Sequence, residues 1–253
     1  MYVQRMIERE ETQDGIVTLR LAHGKANALD VELLEALIGS LDAAADARAL
    51  VITAGGGIFS AGVDLFRLVD GGEEYVRRFY PLLSEFVRAL VSYPAPVVVA
   101  ANGHAIAGGG VMVLGADYRI MADGNGRIGT PELLVGVPLP AAALEVVRAA
   151  VPPQELHRLL YLGPTYPPQD ALARGLVDEV VAPDALMTRA YEVAAQLAAL
   201  NDDAFRVAKQ MLRAPLLERI DAAADLDEAA LEVWLAPETH ARIRDYLART
   251  VRK

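Results

Sequence analysis

The segment from Pro96 to Asp123 constrains the fold most, because in it a buried strand leads into a glycine-rich turn and then a helix. Val97–Ala101 is uncharged and rich in β-branched residues, as is typical of a strand buried on both faces. Gly108–Gly110 follow it, although each glycine inside a helix costs about 1 kcal/mol relative to alanine. We therefore expect bare backbone at the start of the helix through Val111–Ala116, where unpaired N–H groups can face an anionic or polarised oxygen.

A second small-residue turn, Phe59–Leu65, follows the buried strand Leu50–Thr53 in the same way. Apolar residues at helical spacing predict a helix over Val31–Ala45, capped by Asp30, and another over Tyr75–Tyr93. Strands and helices thus alternate along the chain. This order predicts an α/β fold with mostly parallel strands.

The remaining predicted elements complete this fold. The strands are Val3–Glu8 and Ile16–Ala22, joined as a hairpin by Asp14-Gly15, then Arg119–Met121, Arg127–Ile128 and Leu176–Val181. The helices are Ala141–Ala150, Gln154–Leu162, Gln169–Arg174, Ala185–Leu200, Asp203–Ala214, Leu217–Leu235 and Pro237–Thr250. We expect an α/β core over residues 1–195 and an all-helical region over residues 196–253.

Charge and composition exclude several classes of partner. The net charge of −10, without a Lys/Arg cluster, argues against nucleic acid and anionic membranes. Ala89–Ala116 is long and uncharged, but its prolines, Asn102 and glycines predict that it does not span a membrane. The chain has no cysteine, which excludes thiolate chemistry and suits a cytoplasmic location. The first residues, MYVQRMIEREE, do not resemble a signal peptide.

Five motifs carry a resemblance that covers most of the chain. FSAGVDL, NGHAIAGGG, ADYRIMAD, GTPELLVG and ARGLVDEVV, in this order, resemble the crotonase family of enoyl-CoA hydratases and isomerases. The resemblance implies a spiral of β-β-α turns and a helical C-terminal region that forms a homotrimer or a hexamer of two trimers. It also implies acyl-CoA substrates, with no cofactor beyond the coenzyme A that the substrate carries. The thioester oxygen would lie between the N–H groups of Val63 and Gly109.

Elementary chemistry agrees with that assignment. Removal of a proton next to a thioester places negative charge on its oxygen, and two fixed N–H donors stabilise the resulting enolate. Glycine-rich turns also occur where chains only pack tightly, or where they bind phosphate. Neither turn shows GxGxxG or a Walker lysine, so the nucleotide interpretation is disfavoured.

Glu132 is the candidate catalytic base. The resemblance places it over the α-carbon of the thioester, after Pro131. Alone, a glutamate here would be explained by the favourable interaction of an acid with the first turn of a helix, about 0.5 kcal/mol. In the motif order we interpret it as a general base that exchanges protons near neutral pH.

Met112, which the resemblance also places beside the substrate, departs from the hydratase pattern, which has a second glutamate there. Hydration needs a group to hold and deprotonate water, whereas one carboxylate can move a double bond by a 1,3-proton shift. We therefore favour a 3,2-enoyl-CoA isomerase. A hydratase that compensates for Met112, a thioester hydrolase and a non-catalytic acyl-CoA-binding protein remain alternatives. Pro140 occupies the position where a dienoyl-CoA isomerase would have an acid.

The substrate-binding candidates are weaker. The resemblance implies that Lys25 and Ala26, in the loop HGKANAL, bind coenzyme A and that Ala61 and Leu65 border the same groove. The alternative for Lys25 is an exposed loop lysine. Residues 70–78 are expected to shape the acyl pocket.

Other polar residues have structural interpretations. We expect Asp64 to cap a helix and His104 to be a packed loop histidine. Asp117 and Arg119 are interpreted as structural, and Glu145 as a solvated helix residue.

Overall fold

The structure is a computed structural model and describes residues 6–250. The strands are β1 (Ile7–Glu11), β2 (Ile16–Leu21), β3 (Ala49–Ala54), β4 (Ile58–Ser60), β5 (Val97–Ala101), β6 (His104–Ile106), β7 (Tyr118–Ala122), β8 (Ile128–Gly129) and β9 (Glu179–Val181). The helices are α1 (Val31–Ala43), α2 (Leu65–Ser92), α3 (Gly108–Leu114), α4 (Glu132–Val135), α5 (Ala141–Ala150), α6 (Pro153–Leu162), α7 (Pro168–Ala173), α8 (Leu186–Ala198), α9 (Asp202–Ala222), α10 (Ala224–Leu235) and α11 (Pro237–Thr250).

Two sheets organise these elements. The large sheet has six strands in the order β1-β2-β3-β5-β7-β9, with β1 antiparallel to β2 and every other pair parallel. The small sheet has three parallel strands in the order β4-β6-β8. The predicted α/β fold with mostly parallel pairing is confirmed.

A repeating unit connects the two sheets. A strand of the large sheet is followed by a strand of the small sheet and then by a helix, giving β3-β4-α2, β5-β6-α3 and β7-β8-α4. This is the expected spiral of β-β-α turns. Because the small-sheet strands are parallel, their carboxyl ends meet at one edge, and a helix begins just beyond each of them.

The core explains the sequence of the central strands. Every residue of β5 is buried, because α8 covers one face of the large sheet and the other faces the main hydrophobic core. A strand covered on both faces has no position for a charged side chain. Val97–Ala101 was predicted as a strand with these bounds.

The first strand lies later than predicted. The hairpin uses Ile7–Glu11, whereas Val3–Glu8 was expected; residues 3–5 of that prediction lie outside the described residues. The strand is at the edge of the sheet and carries three exposed glutamates. Charged edge strands lack the apolar alternation that identifies other strands, and they discourage pairing with other chains.

Two helix boundaries also differ from the sequence prediction. Helix α2 begins at Leu65, before the expected Tyr75, because it joins two helices across a kink at Gly72 (φ 61°, ψ −152°), whose backbone is not helical. Helix α9 continues through Pro215 and ends at Ala222. Leu216 and Ile220 are buried beyond the proline, so tertiary packing outweighs the hydrogen bond that proline removes.

The C-terminal helices pack against the α/β part. Leu216, Ile220, Trp234 and Ile243 belong to the same hydrophobic core as strands β2, β3 and β5. The all-helical C-terminal region is thus confirmed, while the domain boundary near residue 195 stays a prediction. Within residues 6–250, no helix combines the length and the apolar character that crossing a membrane requires.

Candidate active site

The small sheet brings three segments together. Its strands end at Ser60, Ile106 and Gly129. Three residues beyond each of these ends lie Val63, Gly109 and Glu132. Parallel strands present their carboxyl ends at one edge, so the three residues chosen from sequence face a common region.

The first two turns touch each other through their backbones. Gly62 has φ +80°, a conformation that glycine adopts without steric cost. A Cβ atom on Gly62 would lie 2.7 Å from the Ile106 carbonyl oxygen and 3.2 Å from the Gly108 nitrogen. Only a residue without a side chain allows this approach, so the spacing of the two turns is set by backbone contact.

Both candidate donor groups are unpaired. Among the described residues, neither the Val63 N–H nor the Gly109 N–H donates a hydrogen bond. Gly109 is the second residue of α3, where helix geometry leaves the N–H without an intrahelical partner. A Cβ on Gly109 would lie 2.5 Å from the Ser60 carbonyl oxygen, so only glycine fits there. Two free N–H groups on touching turns can bind one oxygen.

The backbone is strained at the turn that precedes α3. Ala107, which precedes α3, has φ 54° and ψ −125°, a conformation that residues with a Cβ seldom adopt. Such backbone outliers cost about 1–3 kcal/mol and persist only where the surroundings hold them. Here Ala107 donates its N–H to the Gly129 carbonyl at 2.8 Å, which fixes the turn to β8.

The loop over residues 23–29 closes one side of the site. Three backbone hydrogen bonds hold it to the turn after β4: Ala61 N–H to the Ala26 carbonyl at 2.9 Å, Leu29 N–H to the Gly62 carbonyl at 2.7 Å, and Asp64 N–H to the Leu29 carbonyl at 2.9 Å. Lys25 is exposed on this loop. The loop is therefore held in place as one wall of the site, and the side chain of Lys25 is exposed to solvent.

An outer cavity of about 420 Å³ opens beside these turns. Its walls include five of the site residues predicted from sequence, Ala26, Ala61, Val63, Leu65 and Glu132. Lys25, Gly109 and Met112 do not line it. Sequence reasoning missed the opposite wall, which contains Trp234, Tyr246, Leu247 and Thr250 from α10 and α11. These helices had been predicted without any role in the site.

A small inner cavity of about 30 Å³ adjoins the outer one. Val63, Glu132 and Trp234 border both cavities. The other residues around the inner cavity are apolar or glycine and include Leu29, Phe86 and Pro140. Among the described residues, Glu132 is thus its only wall residue with an ionisable side chain. No residue from 70–78 lines either cavity, contrary to expectation.

Glu132 is buried and lacks a partner for one oxygen. Glu132 is the first residue of α4 and is 7% exposed. Within residues 6–250, its Oε2 atom accepts no hydrogen bond. Burial raises the pKa of Glu132 to about 8, although a hydrogen bond from its own N–H partly opposes this. A carboxyl group with a pKa near neutrality can both accept and return a proton.

This burial predicts a pH-dependent stability. The unfolded chain loses the Glu132 proton near pH 4.5 and the folded chain keeps it until about pH 8. The folded state therefore binds more protons in this window, and the free energy of unfolding falls as pH rises. We expect Glu132→Gln to become more stable than the parent by about 3–5 kcal/mol between pH 4.5 and 9. Urea unfolding of both proteins across this pH range measures the difference. If the free energy of unfolding changed with pH in the same way for both proteins, the prediction would be wrong.

Met112 lies away from the cavities. It is fully buried in α3, and neither cavity has it as a wall residue, although it was predicted to border the substrate. Val111, its neighbour in sequence, lines the inner cavity. The position that would hold the second glutamate of a hydratase thus carries a core side chain.

The other polar candidates have structural partners. Asp64 lines the outer cavity but accepts the Arg67 N–H at 3.0 Å as the cap of α2, as predicted. Glu145 was expected on a solvated face; it is in fact buried, and pairs with Arg148 at 2.9 Å and Arg219 at 2.6 Å. Its two arginines compensate the cost of burying its charge.

Asp117 and Arg119 form contacts between separate secondary-structure elements. Asp117 accepts the Val97 N–H at 2.9 Å and lies against two cations from α9. Arg119 pairs with Asp178 at 2.6 Å. Both are structural, as predicted.

Comparison with known proteins identifies similar sequences and a similar fold. The family model for enoyl-CoA hydratase/isomerase matches residues 11–242. The Rattus norvegicus protein named enoyl-CoA delta isomerase 1, mitochondrial, is 31% identical over 83% of this chain and 74% of its own length. A putative enoyl-CoA hydratase of Thermus thermophilus is 33% identical over 83% of this chain and 84% of its own. The crystal structure of human mitochondrial delta3-delta2-enoyl-CoA isomerase is similar with a TM-score of 0.92 at 27% identity, covering 96% of this chain and 97% of that one.

Proposed function

The chain belongs to the enoyl-CoA hydratase/isomerase family, and on this basis we propose that it moves the double bond of an enoyl-CoA from position 3 to position 2. The observation that carries the proposal is the single carboxylate, Glu132, at the junction of the two cavities. A 1,3-proton shift needs one such group. Hydration needs a second group to hold the water.

The two backbone N–H groups stabilise the intermediate. The thioester oxygen of the substrate binds between the amides of Val63 and Gly109, which are unpaired in the free protein. When a proton leaves C2, negative charge develops on this oxygen, and the fixed donors stabilise the enolate. The close backbone approach of the two turns supports the view that these donors are held in place before the substrate binds.

Glu132 carries the proton. Its carboxylate takes the proton from C2 of the 3-enoyl thioester, and the electrons of that C–H bond form a dienolate with the 3,4 double bond. The protonated Glu132 then returns the same proton to C4, which leaves a double bond between C2 and C3. No oxidant, reductant or added water takes part, so the proposal needs no resident cofactor.

Hydration is the competing reaction, and the relative from Thermus thermophilus bears the name of a putative hydratase. The only other carboxylate among the described cavity-wall residues is Asp64. Its side chain caps α2 through the Arg67 N–H, so one of its acceptor positions is already used. This geometry favours isomerisation.

Separate incubation with 3-hexenoyl-CoA and with trans-2-hexenoyl-CoA tests the proposal. We expect the first to be converted to the conjugated 2-enoyl product, followed by ultraviolet absorbance. The second should gain water at least about 100-fold more slowly, a difference typical of a missing general base. Equal rates would establish a hydratase. Release of free coenzyme A would establish a hydrolase, and thioester binding without turnover a binding protein.

We also propose a homotrimer or a hexamer of two trimers, in the cytoplasm. An apolar surface formed by Leu133, Leu134, Tyr161 and Leu162 of α4 and α6 supports self-association, because each is 47–66% exposed. Sedimentation of the purified chain as a monomer would overturn this proposal. The rat and human relatives have mitochondrial in their names, so fractionation of the source cells is the test of location.

A further inference from the structure

Trp234 is the one residue at the junction of the two cavities to which the proposed reaction gives no role. Val63 and Glu132 also border both cavities, and each has a chemical function in the proposed reaction. Trp234 lies near the end of α10 and is 1% exposed. Its indole ring forms part of the wall between the opening and the interior.

The indole ring is held in place from several sides. Its Nε1–H donates to the Pro138 carbonyl at 2.9 Å. The ring meets Tyr80 edge-on, with centroids 5.6 Å apart, and lies tilted against Phe79 at 6.4 Å. Asp227, on the same helix, accepts bonds from the Tyr80 hydroxyl and the Ala141 N–H, both at 2.7 Å. A ring fixed in this way cannot move aside without breaking these contacts.

The inner cavity is too small for a long acyl chain. Its volume is about 30 Å³, and a single water needs about 10–15 Å³. C2 and C4 of the substrate must both reach Glu132 in the proposed shift, so only carbons beyond C4 enter this cavity. It therefore accommodates about two further carbons.

We propose that Trp234 determines acyl specificity, restricting the enzyme to short-chain enoyl-CoA substrates of about four to six carbons. The inference rests on the proposed isomerase function, since it uses the requirement that one carboxylate reaches both C2 and C4. Trp234 has the largest side chain of the residues that line the inner cavity, so shortening this side chain would enlarge the cavity most.

The ratio of kcat/KM values for 3-dodecenoyl-CoA and 3-hexenoyl-CoA tests this inference. The parent should prefer the six-carbon substrate by about tenfold or more, and Trp234→Leu should raise the relative value for the twelve-carbon substrate by a similar factor. A loss of folded protein lowers both values and cancels in the ratio. Equal values in the parent, or a ratio unchanged by Trp234→Leu, would overturn the proposal.

A second variant reduces the volume of the inner cavity instead of enlarging it. Ala143 lines the inner cavity, and Ala143→Leu fills it. We expect 3-hexenoyl-CoA turnover to fall about tenfold relative to that of 3-butenoyl-CoA, which has no carbon beyond C4. If both substrates lose activity equally, the inner cavity does not hold the chain end. This variant decides the question should Trp234→Leu fail to fold.

Fluorescence separates this inference from the proposed reaction. Trp234 is the only tryptophan in the chain, so the indole emission of Glu132→Gln reports on the acyl site without turnover. Saturated hexanoyl-CoA should shift this emission and bind at least about tenfold more tightly than dodecanoyl-CoA. That result would support the proposed limit on acyl chain length even if the protein does not catalyse isomerisation. An emission unaffected by hexanoyl-CoA at saturation would contradict it.

Discussion

Replacement of Glu132 by glutamine is expected to lower kcat for 3-hexenoyl-CoA isomerisation by about 10³-fold, within the range known for loss of a general base. The amide keeps the size of the side chain and accepts no proton from C2. Binding of hexanoyl-CoA should change by less than about threefold, because the affinity comes from the cavity walls and the two backbone donors. Steady-state kinetics and fluorescence titration measure the two effects separately.

Glu145→Gln is the matched control. Glu145 is also a buried carboxylate, but two arginines pair with it and it lines neither cavity. This change should lower the free energy of unfolding by about 1 kcal/mol, since both arginine partners are nearly half exposed and water screens the two ion pairs. Its kcat per folded molecule should match the parent. If Glu132→Gln retained parental kcat, the proposed base would be wrong.

Replacement of Gly109 by alanine is expected to lower kcat/KM by about 10²–10³-fold, the loss associated with one misplaced oxyanion donor. The new Cβ would lie 2.5 Å from the Ser60 carbonyl oxygen, which forces the two turns apart. The loss should appear in kcat more than in hexanoyl-CoA affinity, because the donors stabilise the enolate more than the ground state.

Gly39→Ala controls for the general effect of adding a methyl group. Gly39 lies in α1, and a Cβ there would meet no atom within 4 Å. This variant should keep parental activity and gain about 0.5–1 kcal/mol of stability from helix propensity. Circular dichroism of Gly109→Ala establishes that it is folded at the assay temperature. Full activity in a folded Gly109→Ala would exclude Gly109 as a donor.

Val63, Gly109 and Glu132 were predicted because the motifs around them resemble those of the crotonase family. In the structure a small-sheet strand followed by a helix start recurs three times, and Val63, Gly109 and Glu132 each lie three residues beyond the end of such a strand. Burial makes the strands recognisable, and the need for bare backbone makes the turns recognisable. Local patterns therefore identified the two small-residue turns, whereas the resemblance assigned roles to the three residues.

The opposite wall was not predictable in the same way. Trp234 and Tyr246 belong to helices whose apolar faces indicate burial but not the surface they cover. Residues 70–78 were expected to shape the pocket, whereas Phe66, at the start of α2, lines it instead. The one available signal was that a single tryptophan, in a chain with so few aromatic residues, is placed in a C-terminal helix.

The backbone contact between Gly62 and the turn at Ala107 has a consequence for redesign. Main-chain atoms set the separation of the two amides, so exchanging a side chain elsewhere in the pocket leaves that separation unchanged. New acids or bases can be introduced at Pro140 or Ala143 to handle a different bond of the thioester. The backbone thus offers protein engineers a fixed binding site for the thioester oxygen, around which the side chains can be exchanged.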